Sequence, residues 1–148
     1  MAYFITENCS GCTACVSRCP TNAISGVRKS LHSVSAALCI ECGACGVVCP
    51  SEAIFDGAGA GAILLKKSQR PRAFVDAQSC TGCEKCVERC PFECLSVADA
   101  PGAHFGVVQV AEAKCTGCRE CAQACPYDAI FVHRRDQVPA ELRPAVAA

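Results

Sequence analysis

The chain has no tryptophan, one methionine and only 5% aromatic residues, so large aromatic side chains cannot build its core. Long hydrophobic runs are absent too. The longest nearly uncharged stretch outside the cysteine-rich segments, residues 57–65, is far shorter than the roughly 20 apolar residues that span a bilayer. Residues 1–6 lack the basic, apolar and cleavage regions of an export signal. These absences predict a cytoplasmic protein with no membrane span.

Cysteine is the abundant exception, with 17 residues among 148. In a secreted chain this content would suggest a disulfide scaffold, but in a reducing cytosol regularly spaced cysteines are more often metal ligands. All but one fall in four copies of the pattern C-x₂-C-x₂-C-x₃-C-P. The copies are Cys9, Cys12, Cys15 and Cys19; Cys39, Cys42, Cys45 and Cys49; Cys80, Cys83, Cys86 and Cys90; and Cys115, Cys118, Cys121 and Cys125.

This spacing is the iron–sulfur ligand pattern of bacterial proteins. Three thiols separated by two residues can wrap one face of a cubane and bind three of its irons. In paired motifs the fourth thiol comes from the other motif's last cysteine. A zinc-binding structural protein is the remote alternative, but zinc ribbons use separated C-x₂-C pairs rather than three thiols in a row followed by Cys-Pro. Colour separates the two, since a cubane protein is brown and a zinc protein colourless.

The chain resembles the bacterial two-cluster ferredoxins, duplicated in tandem. The resemblance rests on the N-terminal strand, the paired motifs and the Cys-Pro-x-x-Ala-Ile ending at 49–54. It implies an α+β fold of two ferredoxin-like modules with short strands and short helices, four 4Fe–4S clusters and low-potential one-electron transfer. The expected organisation is a first module at 1–55, a linker at 56–72 with one strand at 63–65, a second module at 73–133, and a C-terminal tail at 134–148.

The resemblance also implies which thiols share a cluster. Cluster one takes Cys9, Cys12, Cys15 and Cys49; cluster two takes Cys39, Cys42, Cys45 and Cys19; cluster three takes Cys80, Cys83, Cys86 and Cys125; and cluster four takes Cys115, Cys118, Cys121 and Cys90.

Short strands are expected to carry the chain into and out of the ligand loops. Alternating or apolar segments predict strands at 3–6, 31–34 and 105–110, with a closing apolar segment at 129–132. In each motif the third and fourth cysteines are four residues apart, the spacing of one helical turn. That turn is therefore expected to lie between the two clusters of a module.

Cluster binding is expected to supply both stability and charge. A domain of about sixty residues buries only around 60% of its surface and is marginal alone, so the apo-chain should be largely unfolded. The formal net charge is zero. Sixteen thiolates on four cores of about +2 each would add about eight negative charges. The acidic holoprotein would favour basic docking surfaces on partners and disfavour nucleic acid.

Four further residues invite a functional interpretation. Cys94 stands three residues after Pro91, where the other copies have Ala23, Ala53 and Ala129. A small buried thiol replacing alanine explains it by packing alone. His32, His104 and His133 have no neighbouring acid or nucleophile pattern, so each is interpreted as a surface or strand-packing residue.

Three functional classes follow from this sequence. The leading hypothesis is a non-catalytic electron-relay subunit of a larger oxidoreductase, for example an aldehyde oxidoreductase. Its expected partners are catalytic subunits, with a flavin-containing subunit and end-to-end contacts between copies as further options. The alternative is a diffusible ferredoxin shuttle. A self-contained enzyme is disfavoured because the motifs offer every cubane iron a protein thiol and no nucleophile–base pair or nucleotide loop is visible.

Overall fold

The computed structural model describes residues 1–102 and 104–140 of the chain. The chain divides into two compact units, the first ending at Ser68 and the second beginning at Gln69. Each unit contains two cysteine motifs and two antiparallel pairs of short strands. None of the helices in the described residues has the length and hydropathy needed to cross a membrane.

In the first unit the outer strands pair with each other, and so do the inner strands. Strand β1 (Phe4–Ile5) pairs with β4 (Ile54–Phe55), and β2 (Ile24–Ser25) pairs with β3 (Ser33–Val34). Phe4 and Phe55 stack across the outer pair with ring centroids 5.8 Å apart. The inner hairpin therefore connects one cysteine motif to the next, while the outer pair ties the unit's beginning to its end.

The second unit repeats this order with longer strands. Strand β5 (Arg72–Val75) pairs with β8 (Ile130–His133), and β6 (Leu95–Ala98) pairs with β7 (Val107–Val110). Each of these strands has four residues, against two in the first unit. The predicted strand at 105–110 contains β7.

A short helix follows the third cysteine of motifs one and two, and a helix containing that cysteine occurs in motifs three and four. The first two are 3₁₀ turns, Val16–Arg18 and Gly46–Val48, and the others are helices α1 (Lys85–Arg89) and α2 (Glu120–Ala124). All four end at the motif's fourth cysteine, which has extended backbone with ψ between 113° and 117°. The following proline disfavours helical geometry at the residue before it, so the sequence Cys-Pro stops each helix.

The core of each unit is built from thiols and small aliphatic side chains. In the first unit Cys15, Cys45 and Cys49 pack with Ile24 and Ile54. In the second, Cys86, Cys94, Cys115 and Cys121 pack with five aliphatic residues. The scarcity of large aromatic residues is thus matched by cysteines in the interior, which is where ligands of an internal group must lie.

Residues 56–65, expected to be linker, return to the first unit. The Ala62 N–H donates to Ile54 O at 2.9 Å, and the Leu65 N–H donates to Val47 O at 3.0 Å. No strand forms at 63–65. Among residues expected to form a tail, Val138 is 1% exposed, while 141–148 lie outside the described residues.

Candidate iron–sulfur centres

Two left-handed residues flank the second cysteine of every motif. The residue before it has a φ of 67° at Gly11 and 66° at Gly82, and the residue after it has a φ of 64° at Thr13 and 63° at Glu84. The other two motifs repeat the pattern, at Glu41 and Gly43 and at Gly117 and Arg119. Such alternation curls the loop and turns successive N–H groups toward one concave face, an arrangement that binds anions.

In motifs one and three, the residue before the second cysteine must be glycine because the backbone of another segment lies very close to it. A Cβ on Gly11 would lie 2.4 Å from the Ser30 nitrogen, and one on Gly82 would lie 2.4 Å from the Phe105 oxygen. Neither backbone atom can move aside as a side chain could. The close approach of the inner hairpin to the cysteine loop therefore leaves no room for a Cβ at either position.

The fourth cysteine of three motifs accepts a hydrogen bond from the backbone four residues later. Ala23 N–H donates to Cys19 Sγ at 3.2 Å, Ala53 N–H to Cys49 Sγ at 3.4 Å, and Ala129 N–H to Cys125 Sγ at 3.4 Å. The residue before each donor is left-handed, as at Asn22 with a φ of 54°. Hydrogen bonds of this kind favour the thiolate, the form that binds metal.

Three separate cavities are each lined by four motif cysteines. The first is lined by Cys9, Cys12, Cys15 and Cys49; the second by Cys19, Cys39, Cys42 and Cys45; and the third by Cys80, Cys83, Cys86 and Cys125. The structure thus brings together the thiols that the resemblance assigns to clusters one, two and three, each set including the last cysteine of the paired motif.

The remaining four motif thiols are also neighbours. Charges on Cys115 and Cys90 each raise the pKa of Cys118 and of Cys121, although burial is the larger cause in both. Within residues 1–102 and 104–140, no three His, Cys, Asp or Glu side chains converge closely enough to hold a single metal ion. The assignment of ligands to cluster four, like the other three assignments, remains a prediction.

Burial raises the pKa of the third cysteine in several of the motifs. The pKa of Cys15 is raised to about 11, and those of Cys45 and Cys121 to about 12, first by loss of hydration. Neighbouring cysteines add to the effect, since a second thiolate nearby repels the first. Four thiolates can therefore share one of these spaces only with a cation core, and binding it must release protons.

Models of the 4Fe-4S dicluster domain match residues 8–54, 38–94 and 79–129. The chain belongs to the 4Fe-4S dicluster family. This family agrees with the predicted cofactors. A dicluster domain holds two 4Fe–4S clusters, and 16 motif cysteines at four per cluster suit four clusters in the two units of the chain. The donor set fits as well: four thiols surround each described cavity, and backbone N–H groups already point at several of them.

Relatives of the chain include ferredoxins and a subunit of an oxidoreductase. Ferredoxin-1 of Chlorobaculum tepidum is 46% identical over 63 residues, covering 38% of this chain and 100% of its own. The polyferredoxin-like subunit of an aliphatic sulfonate oxidoreductase from Pyrococcus furiosus is 36% identical over 77 residues, covering 51% of this chain and 38% of its own.

Among solved structures, a chain of the formate dehydrogenase–heterodisulfide reductase–formylmethanofuran dehydrogenase complex from Methanospirillum hungatei is 26% identical, with a TM-score of 0.38. That similarity covers 88% of this dicluster chain and 54% of the other chain.

Cys94 makes polar contacts that the sequence did not predict. It is 5% exposed, as packing in place of alanine requires, and its Sγ lies 3.3 Å from Cys90 Sγ. It also hydrogen-bonds to Cys115, which lowers the pKa of Cys115 and raises that of Cys94. Cys94 is therefore the protonated donor of this pair, and a second hydrogen bond to Cys115 comes from Ala73 N–H at 3.4 Å.

His32 is the residue that sequence reasoning missed. It is 1% exposed and lines the cavity with Cys9, Cys12, Cys15 and Cys49. His104 and His133 are exposed, as a surface interpretation requires. No spacing in the sequence relates His32 to the cysteines, because the hairpin β2–β3 carries it there.

Proposed function

We propose that this dicluster protein is a one-electron relay that holds four 4Fe–4S clusters. The observation that carries the proposal is the gathering of four motif thiols around each of three separate cavities, with the last four thiols also adjacent. Cysteine thiolates would hold each cluster in the sets given above. A bound cluster supplies a site that accepts and returns one electron, and the chain's own part is to fix its position and its hydrogen bonds.

The remaining details of the proposal follow from the ligand count and the resemblance. With four thiols per set, no iron is left open for a substrate, so we assign the chain no catalytic activity of its own. We place its modules in the α+β ferredoxin-like class and the protein in the cytoplasm. Short strands, short helices and low aromatic content support this class.

A subunit of a larger oxidoreductase is the form we favour. The relative from Pyrococcus furiosus carries such a description, and two units in one chain offer more electron sites than a shuttle requires. That relative serves an aliphatic sulfonate oxidoreductase, so we propose a catalytic oxidoreductase subunit as the partner without retaining the aldehyde specificity. A flavin-containing subunit and end-to-end contacts between copies complete the proposed set of partners.

Partners are expected to dock where ligands reach the surface. Cys12 and Cys83 are exposed, whereas the other motif cysteines are buried or partly buried. With about eight extra negative charges on the loaded chain, a basic partner surface would be attracted to these loops.

Anoxic native mass spectrometry of the complex from its source tests the relay. We expect this chain bound stoichiometrically to a catalytic oxidoreductase subunit, with its iron retained. A loaded monomer that reduces several purified enzymes, and that co-elutes with none of them, would replace the relay by the diffusible ferredoxin. Light scattering of the same sample tests the end-to-end contacts, which predict a mass that rises with protein concentration.

A further inference from the structure

His32 occupies the cavity of cluster one with a defined ring orientation. Its Nδ1 lies 3.0 Å from the Ser30 carbonyl oxygen. A carbonyl oxygen only accepts hydrogen bonds, so Nδ1 carries a proton and donates it. The same Nδ1 lies 3.9 Å from Cys9 Sγ, within the longer range of a hydrogen bond to sulfur. The ring is therefore already in contact with one predicted ligand.

The other ring nitrogen has no protein partner among the described residues. His32 Nε2 is buried and makes no hydrogen bond to them. In the tautomer with the proton on Nδ1, Nε2 has a lone pair and only accepts hydrogen bonds, so it cannot donate to a sulfur atom. The donor that His32 offers to the predicted ligands of this cavity is therefore Nδ1–H, through its contact with Cys9 Sγ.

The backbone opposite makes room for this imidazole. A Cβ on Gly26 would lie 2.6 Å from His32 Cγ and 2.7 Å from Cδ2. Any side chain at position 26 would collide with the ring, so the close approach of Gly26 holds the ring against the cavity. The imidazole is a packed part of the site and not a loose surface group.

The second unit has valine at the equivalent place. Ile24 pairs with Val34 in the first unit's inner hairpin, and Leu95 pairs with Val110 in the second. Two residues before these valines stand His32 and Val108. Val108 lines the cavity of Cys80, Cys83, Cys86 and Cys125, as His32 lines that of Cys9, Cys12, Cys15 and Cys49.

We propose that His32 is a positioning residue whose Nδ1–H, shared with the Ser30 carbonyl oxygen, donates to the Cys9 sulfur, a predicted ligand of cluster one, and raises the reduction potential of that cluster, whereas cluster three, with Val108, lacks this contact. Reduction adds negative charge to a cluster, and hydrogen bonds to its sulfurs stabilise that charge. The inference rests on the proposed function, because it requires clusters in these cavities. It makes the two units of the relay electronically different at equivalent sites.

Nitrogen hyperfine coupling tests the contact without altering His32. The chain has three histidines. A His104→Gln/His133→Gln protein labelled with ¹⁵N-histidine therefore carries the label at His32 alone. After anoxic reconstitution and reduction, electron–nuclear double resonance should detect ¹⁵N coupled to one cluster. Full iron content with no ¹⁵N coupling overturns the proposal for His32 and leaves the relay intact. Iron well below about sixteen per chain would instead contradict the four-cluster function.

Exchanging the two residues tests the effect on potential. In His32→Val, one of the four reduction potentials should fall. At a fixed applied potential, the ratio of reduced to oxidised cluster should change about tenfold, which corresponds to 59 mV for one electron. Val108→His should raise another potential in the same way. His133→Val, at an exposed histidine, is the matched control and should change none.

Four unchanged potentials in a fully loaded His32→Val protein contradict the proposal. If that variant loses iron, Val108→His decides: a raised potential supports the role of the imidazole, and an unchanged one overturns it.

Discussion

The fourth cysteine of each motif has a neighbour four residues later, and Cys94 is the one that differs from its counterparts. Ala23, Ala53 and Ala129 contribute only a backbone N–H to their cysteines. Cys94 adds a thiol in contact with both Cys90 and Cys115. At the scale of single residues, then, Cys94 offers an S–H donor to two predicted ligands of cluster four, where the other motifs have alanine.

Cys94→Ala should keep all four clusters, because alanine fills the same place in the other motifs. Iron should remain near sixteen per chain after anoxic reconstitution. As the control, Cys90→Ser removes a predicted ligand of cluster four and should lower the count to about twelve. A loss of about four irons in Cys94→Ala would show that this thiol is a ligand and that packing does not account for it.

Two left-handed glycines of the second unit separate backbone strain from steric collision. Gly82 and Gly102 have φ values of 66° and 83°, but only a Cβ at Gly82 meets neighbouring atoms within 4 Å. Gly102→Ala should lower the free energy of unfolding by about 1–2 kcal/mol, because alanine is strained in the left-handed conformation. Gly82→Ala adds a collision with the Phe105 carbonyl and should lower the free energy of unfolding by about 1–3 kcal/mol more.

Loss of the visible cluster absorbance in denaturant measures this difference, with the wild-type chain as reference. Gly82→Ala should lose its colour faster than Gly102→Ala. Equal rates would mean that the approach of the inner hairpin to the ligand loop does not stabilise the site.

At the scale of elements, the two units differ in strand length. The inner hairpin of the first unit pairs two residues per strand, whereas β6 and β7 pair four. More ladder hydrogen bonds must open together in the longer pair, and very short two-stranded sheets are marginal by themselves. The cysteine loops of the first unit therefore depend more on cluster binding for their order.

Hydrogen exchange of the loaded protein under anoxic conditions checks this difference. Amides of 95–98 and 107–110 should exchange more slowly than those of 24–25 and 33–34. Equal protection of the two hairpins would contradict the expectation, and would indicate that the clusters alone set local stability.

The sequence predicts the elements that carry a strong local signal. Strand β7 lies within the predicted strand at 105–110, and the helix of each cysteine motif ends at a Cys-Pro pair. Strands β2 and β6 are not among the predicted strands, because two to four residues give too little alternation. Residues 56–65 are rich in glycine and alanine, which predicts a flexible linker. Their hydrogen bonds to Val47 and Ile54 depend on tertiary contact and not on composition.

The sequence predicts ligands for the candidate site, but it does not predict the surroundings of those cysteines. Spacing identifies the cysteines, and the family resemblance pairs them across motifs. The contact of His32 with Cys9, by contrast, joins residues 23 positions apart through a hairpin. No periodic signal marks such a pair. The same holds for the bond between Ala73 and Cys115.

At the scale of the whole molecule, duplication gives one chain 16 motif cysteines. The iron–sulfur cores predicted on these cysteines would fill the interior in place of the large apolar side chains that a small domain lacks. Two units of 68 and 80 residues would each be marginal without internal ligands. Cluster binding would therefore supply folding energy as well as electron sites. It would also leave the chain acidic despite its formal charge of zero.

Metal and sulfide analysis of the anoxically purified chain tests the central claim most directly. Four cubanes predict about sixteen iron and about sixteen acid-labile sulfide per chain, with a brown colour and no stoichiometric zinc. Careful reconstitution should not change those numbers. A plateau near eight iron and eight sulfide would leave one unit without clusters, and a colourless protein with bound zinc and no sulfide would contradict the account altogether.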